Sequence, residues 1–218
     1  MSDTKRNTII NKIFDEERAL YNLKNAYLEG CVFDGPADGE SALKESRNIE
    51  VNQCEFNLRY PLWHVKGLVM KNSKMSSTCR APIWYSIDGY ISLSNLNGVK
   101  ALRECENYLI ESSNIESPEF GWKCNNITLD RSNVTSEYLF LDSKNIVLKN
   151  VNMKGKYSFQ YVENLQISNS NLDTKDAFWH SKNVVVRDTV IKGEYLAWFS
   201  DGLTLINCKI IGTQPFCY

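Results

Sequence analysis

Six side chains able to move protons or hold anions recur at similar intervals: His64, Tyr85, Arg103, Glu104, Glu119 and Lys123. Trp63, Trp84 and Trp122 directly precede His64, Tyr85 and Lys123, and Arg80 lies just ahead of Tyr85. Brought together, these residues could form a carbohydrate site. Arg and Lys would hold carboxylate or sulfate groups, a basic side chain could abstract the proton beside a uronate carboxylate, and tryptophan faces could stack on sugar rings. Outward strand positions of mixed polarity would give the same list with no chemistry attached. A hydrolase needs two carboxylates flanking a scissile bond. The acidic candidates Glu119, Glu137, Asp176 and Glu194 are interrupted by Lys156, which relieves like-charge repulsion and suits a solvated face better. Asp34, Asp38 and Glu40 could offer oxygens to a hard cation, but DGPADGE reads more simply as a turn-rich insertion. His180 reads as a surface histidine. No GxSxG, HExxH, P-loop or dinucleotide fingerprint is present, and no cofactor or metal is called for.

What positions these residues is a repeat. Asn107, Asn126, Asn145, Asn164, Asn183 and Gly202 follow one another at intervals of 19 residues, and the phase returns upstream at Asn25, Asn48, Gly67 and Tyr90. The residue after each anchor is apolar (Ile49, Leu68, Ile91, Tyr108, Ile127, Ile146). So is the residue two further on (Val51, Met70, Leu93, Ile110, Leu129, Leu148). That alternation marks a short strand with one buried face. A turn column follows, with Gln53, Asn72, Asn95, Ser112, Arg131 and Asn150, where Asn suits left-handed backbone and could bond from coil to coil. Late in each unit an aromatic-rich strand aligns Trp63, Trp84, Leu102, Trp122, Phe140, Phe159, Trp179 and Trp198.

The expected fold is all-β: a right-handed, single-stranded parallel β-helix solenoid of about ten coils, spanning 1–218 as one domain. Residues 1–20 would form an N-terminal cap, partly helical, and 21–218 the coils. Leucine-rich repeats compete, because ITLDRSNV resembles LxLxxNxL, but 19 residues is short for them and the second half of each unit is strand-like. The coils resemble the pectin-lyase-like superfamily of right-handed parallel β-helices. More closely, EERALYNLKNAYLEGCVFDGPADGESALKE, NLRYPLWHV, KALREC and PEFGWKC are similar to a bacterial family known only as uncharacterised. That resemblance runs from about Glu17 onward and implies a fold without an established activity.

Composition bounds the remaining classes. The chain of 218 residues is 43% hydrophobic and 23% charged, with formal net charge -1 and Lys and Arg spread throughout. No basic stripe points to nucleic acid, and no apolar run is long enough for a membrane span. The polar start MSDTKRNTIINKIFDEER has no secretory h-region, so a cytoplasmic location is the default. Seven cysteines without a CxxC read as reduced core thiols. Because the sequence stops at GTQPFCY inside a coil, a homo-oligomer through that coil is a further expectation. Two functional readings follow. One is a carbohydrate-binding or carbohydrate-modifying β-helix, lyase- or hydrolase-like. The alternative is a non-catalytic scaffold presenting its ladder faces to a partner.

Overall fold

The alternation of buried and exposed residues winds the chain into a parallel β-solenoid. The structure, a computed structural model, describes residues 6–35 and 39–217. Two sheets of 11 strands each run its length, and a short sheet of 3 strands lies on a third face, giving about eleven turns. The long face is built from six-residue strands such as Asn125–Asp130 and Lys144–Lys149, and the second face from shorter ones such as Asn133–Ser136. The third face pairs Leu62–Trp63, Ile83–Trp84 and Leu102–Arg103. Ile127, Ile146, Leu165 and Val184 lie directly over one another, as the repeat requires. Their side chains fill one continuous dry core. No helix occurs among the described residues, and none is long and apolar enough to cross a membrane.

Corners are made by residues with left-handed backbone, and these too form columns. One column interrupts the long strands: pairing steps from Lys24↔Arg47 to Ala26↔Ile49, leaving Asn25 and Asn48 as bulges with positive φ. Asn, Asp and Gly fill this column because they tolerate that geometry. Asn126 donates to Asn107 at 2.8 Å and Asn164 to Asn145 at 3.0 Å, so the amides form a ladder. A second ladder runs Asn171→Asn152→Asn133→Asn114→Asn95 along the second face. Coil-to-coil asparagine bonding was expected in the turn column; the longest ladders lie in these two columns.

Inside the corners, small polar side chains face the core. Ser73, Ser94, Ser113 and Ser132 each donate to the carbonyl two residues back. Each of Ser94, Ser113 and Ser132 also accepts the backbone N–H of its counterpart in the preceding coil. Buried hydroxyls therefore satisfy corner amides that the sheet ladder misses. Cys54 follows the left-handed Gln53 as Ser73 follows Asn72, and Cys105 and Cys124 occupy the matching place at the next corner beside Ser86 and Ser143. All seven thiols are free, and burial pushes Cys54 up to about 11 and Cys79 up to about 12.

Several expectations are corrected by register. Asp88, not Tyr90, continues the anchor column, so Gly89, Ile91 and Leu93 take the places assigned to Ile91, Leu93 and Asn95. The cause is Tyr108, whose ring fills the space a side chain at Gly89 would need, 2.0 Å from an added Cβ. Where the expected, partly helical cap is described, from residue 6 on, it forms a coil: Asn7–Ile10 pairs with Ala26–Glu29, and Ile13–Phe14 with Val32–Phe33. Ile9 and Phe14 pack against the core while Ile10 and Ile13 face outward, as strand alternation requires, with Phe14 stacked on Phe33 at 5.1 Å.

Two stability predictions follow from the corners. Ser113→Ala leaves the buried Ser94 N–H unpaired and should cost about 1–3 kcal/mol in urea unfolding, whereas Cys105→Ser should stay within about 1 kcal/mol of wild type. Equal costs would show that hydroxyl and thiol do not play one role. The raised thiols hold their protons in the folded state. Their contribution is intact below the ordinary thiol value of 9.0 and is lost as pH rises through the folded values. The urea midpoint should therefore fall between about pH 8 and about pH 10.5, less steeply in Cys54→Ser/Cys79→Ser.

Candidate functional site

The short third face carries the residues singled out for chemistry. Its inward column is Leu62, Ile83 and Leu102, all buried, continued by Phe140, Phe159 and Phe178 in a stacked interior row. Its outward column is Trp63, Trp84, Arg103 and Trp122. Leu102 thus leaves the expected aromatic column and Arg103 takes the tryptophan's place. A planar guanidinium can stack on an indole where leucine cannot, and Arg103 lies over Trp84 at 5.2 Å. The corner column that follows reads Glu45, His64, Tyr85, Glu104, Lys123 and Asp142, all with left-handed backbone. Glu104, not Arg103, is therefore the neighbour of Tyr85 and Lys123.

The geometry is one of satisfied pairs. His64 Nδ1 lies 2.8 Å from Glu45 Oε1, and Arg47 reaches Glu45 Oε2 at 3.1 Å. Hydrogen bonding from His64 is the main cause holding Glu45 below the ordinary carboxylate range. Two coils on from His64, Arg103 Nε donates to Glu104 Oε1 at 2.8 Å. Burial opposes ionisation of Glu104, but hydrogen bonding from Tyr85 and Arg103 keeps its pKa low. The same contact with Glu104 raises the Tyr85 phenol. Glu119 belongs to the far edge of this face, where it pairs with Lys100 at 3.1 Å; Lys100 also lies over Trp122 at 5.2 Å. Arg80 stands at the opposite corner, bridged to Val99, and is not part of the His64–Lys123 strip.

The tryptophans do not offer open faces. Trp63 is covered by the Lys44 ammonium at 3.7 Å and by Trp84 at 5.2 Å, and Trp84 lies between Trp63 and Arg103. The faces of Trp63 and Trp84 on which sugar rings were expected to stack are thus occupied by Lys44, Arg103 and each other. Trp122 donates Nε1–H to the Tyr138 carbonyl at 3.0 Å, whereas Nε1 of Trp63 is buried without a hydrogen-bond partner among the described residues and the Trp84 indole contributes to holding Glu104 low. Lys44, Arg80 and Lys123 have no carboxylate partner among the described residues. Sequence reasoning missed Lys44, Glu45 and Arg47; the signal was their position one coil before Trp63 and His64.

Elsewhere, Glu137 meets Lys156 at 4.0 Å and Glu194 meets Lys175 at 3.5 Å, ion pairs instead of a carboxylate dyad. Asp38 of the acidic loop lies outside the described residues. No group of His, Cys, Asp and Glu suited to a metal occurs among those described.

The profile of a family described as Protein of unknown function (DUF3737) matches residues 7–218. None of the curated proteins matches the sequence. Among solved structures, the chain is similar to the A-module of the mannuronan C-5 epimerase AlgE6 of Azotobacter vinelandii. The two are 11% identical with a TM-score of 0.51, covering 96% of this chain and 88% of that one. It is also similar to PfbA, a surface adhesin of Streptococcus pneumoniae, at 9% identity and TM-score 0.48, covering 94% of this chain and 76% of that one. A third is tailspike protein 3 of bacteriophage CBA120, at 10% identity and TM-score 0.47, covering 89% and 41%. At these identities the likeness shows the β-helix fold alone.

The Tyr85–Glu104 contact is open to titration. Replacing Glu104 by Gln removes the negative charge that holds the phenol proton, so Tyr85 should ionise at lower pH. Tyrosinate absorbance, differenced against Tyr85→Phe in each background, reads this directly. An unchanged Tyr85 titration would show that the two side chains do not interact.

Proposed function

The chain belongs to the DUF3737 family, and from that premise we propose that it is a carbohydrate-binding β-helix whose third face holds an extended anionic glycan without turning it over. The observation that carries this reading is the charge on that face. Lys44, Arg47, Arg59, Arg80, Lys100, Arg103 and Lys123 gather around half-buried aromatics, opposed by Glu40, Glu45, Glu104 and Glu119. A chain of net charge -1 thus concentrates cations on one face. Arg103 and Lys123 would meet uronate or sulfate groups through charge-assisted bonds, with indole edges packing on C–H surface. The pectin-lyase-like, right-handed character suggested by the coil sequences belongs to the same proposal.

Binding is preferred to catalysis because His64, Tyr85, Arg103 and Glu104 are already paired, and Lys123 has no acid–base partner among the described residues. A general base needs a pKa near the working pH, yet Glu45 and Glu104 are held low and Tyr85 is raised. A scaffold role has one observation in its favour. Val69, Tyr90, Leu109, Thr128 and Val147 align as an outward apolar stripe on the long face, with Leu109 38% exposed. Such stripes can dock protein partners.

A glycan array carrying neutral, uronate and sulfated oligosaccharides separates these readings. Wild type should retain anionic glycans, with binding weakened roughly tenfold in Arg103→Ala and in Lys123→Ala and falling with added salt. No unsaturated or shortened product should appear on prolonged incubation. Failure of wild type to retain any glycan would overturn the carbohydrate reading, and product release would overturn the non-catalytic one.

A further inference from the structure

On the long face, away from the third face, the asparagine ladder is broken at Gly67 in its early coils, as it is again at Gly202 and where Asn145 donates to Asn125 instead of Asn126. Asn48 donates to Asn25 at 3.3 Å, and the ladder resumes where Asn107 donates to Asp88 at 3.0 Å. Between them, in the coil that separates the two, stands Gly67, which has no side chain to continue it. Asn48 Oδ1 leans over this glycine, within 2.7 Å of where a Cβ would be. Among the described residues it accepts no hydrogen bond, and neither does the second oxygen of Asp88; both side chains are exposed.

The identity of residue 88 makes the gap chemically distinct. In an unbroken amide ladder each side chain donates to the one before it and accepts from the one after. Asp88 has no N–H to give, so acceptors face the gap from both sides, one of them charged. Gly67 leaves a cleft of about 750 Å³ bordered by Asn48, Asp88, Val69 and Tyr90; Gly89 also lines it, though the space of its own missing side chain is filled by the Tyr108 ring. Arg6 stands on the rim and is held by Glu50 at 2.9 Å. Tyr90 is fixed by its hydroxyl's bond to Glu111, so its ring forms a rigid wall.

We propose that this notch binds a primary ammonium group, such as that of an unacetylated amino sugar. One N–H would reach Asn48 Oδ1, a second the Asp88 carboxylate, and the Tyr90 ring would lie beside the cation. The ammonium supplies the donors that an asparagine at position 67 would have supplied in part. The site is independent of the anionic-glycan face, and either can stand without the other.

Titration of the full chain with glucosamine, followed in 1H–15N spectra, tests it. Saturable shifts should appear at Gly67, Gly89 and the Asn48 and Asn107 side-chain amides. N-acetylglucosamine, which keeps the ring and loses the cation, should leave them unmoved. Asp88→Asn should weaken binding roughly tenfold or more. Gly67→Asn should abolish it without unfolding, since Asn tolerates left-handed backbone and only the movable Asn48 side chain must give way. The double variant Gly67→Asn/Asp88→Asn closes the ladder and should raise the urea midpoint above that of Gly67→Asn alone. Equal response to both sugars, or shifts unaffected by either substitution, overturns the proposal. So does a notch that answers calcium chloride and not glucosamine.

Discussion

In-register parallel stacking is the constraint on which everything else in this molecule depends. Each residue has as neighbours the residues one coil before and one coil after, about 4.8 Å away. A preference at one position is therefore repeated along the rod or deliberately broken. The corners show why the stacking can persist. Turning the chain needs left-handed backbone, which strains most side chains, and it leaves amides outside the main ladders. The N–H of each left-handed residue at the third-face corner finds a carbonyl in the next coil, as His64 does with Trp84 at 2.8 Å and Lys123 with Leu141 at 2.9 Å. Inside the corners, serine hydroxyls collect further N–H groups that would otherwise be buried and unpaired.

Charge follows the same rule in part. Identical ionic side chains repel when stacked at one-coil spacing, so several outward positions alternate sign or interpose a neutral group, although Lys24, Arg47 and Lys66 stack in succession and Lys156 lies beside Lys175. Glu45 lies below His64, Glu104 between Tyr85 and Lys123, and Lys144 beside Glu163 at 3.1 Å. Pairing of this kind lowers Glu45 and Glu104 whether or not any ligand is bound. A perturbed carboxylate on a solenoid face is therefore weak evidence of catalysis. Cations left over after the pairing, such as Lys123, say more about what the face could bind.

The architecture was legible because the later coils keep one length. From Asn107 to Gly202 the alignment of the long strands and their structural register agree residue for residue, but on the third face Phe140 and Phe159 turn inward and Leu141 and Gln160 take the outward places expected for them. It failed where one coil borrows volume from another. Gly89 carries no side chain because Tyr108 fills its place, so matching apolar letters slipped that coil by two positions. It failed again at ALREC, where hydrophobicity aligned buried Leu102 with outward tryptophans. The stacking that decides the register is between Arg103 and Trp84. Of the candidate site, His64, Tyr85, Glu104 and Lys123 do share a column. Glu119 and Arg80 lie on the other edge of the face, a separation that spacing along the chain could not reveal.

Why a binding face should sit on the short sheet follows from how tightly each face is tied. The long and second faces are ladders of 11 strands whose side chains must alternate with the pleat. On the third face only three two-residue strands are formed, and elsewhere the chain crosses it in turns. Backbone geometry there constrains side-chain identity less, so large aromatics, unpaired cations and extra residues can be accommodated. The coil from His64 to Tyr85 is longer than its successors by two residues, 21 against 19. Its added length falls at Ser76–Pro82, immediately before the Trp84 strand, and brings Arg80 to the edge of the face. Variation concentrated where the ladder is loosest is what a rigid rod needs if one side is to acquire a ligand while the other two keep the register.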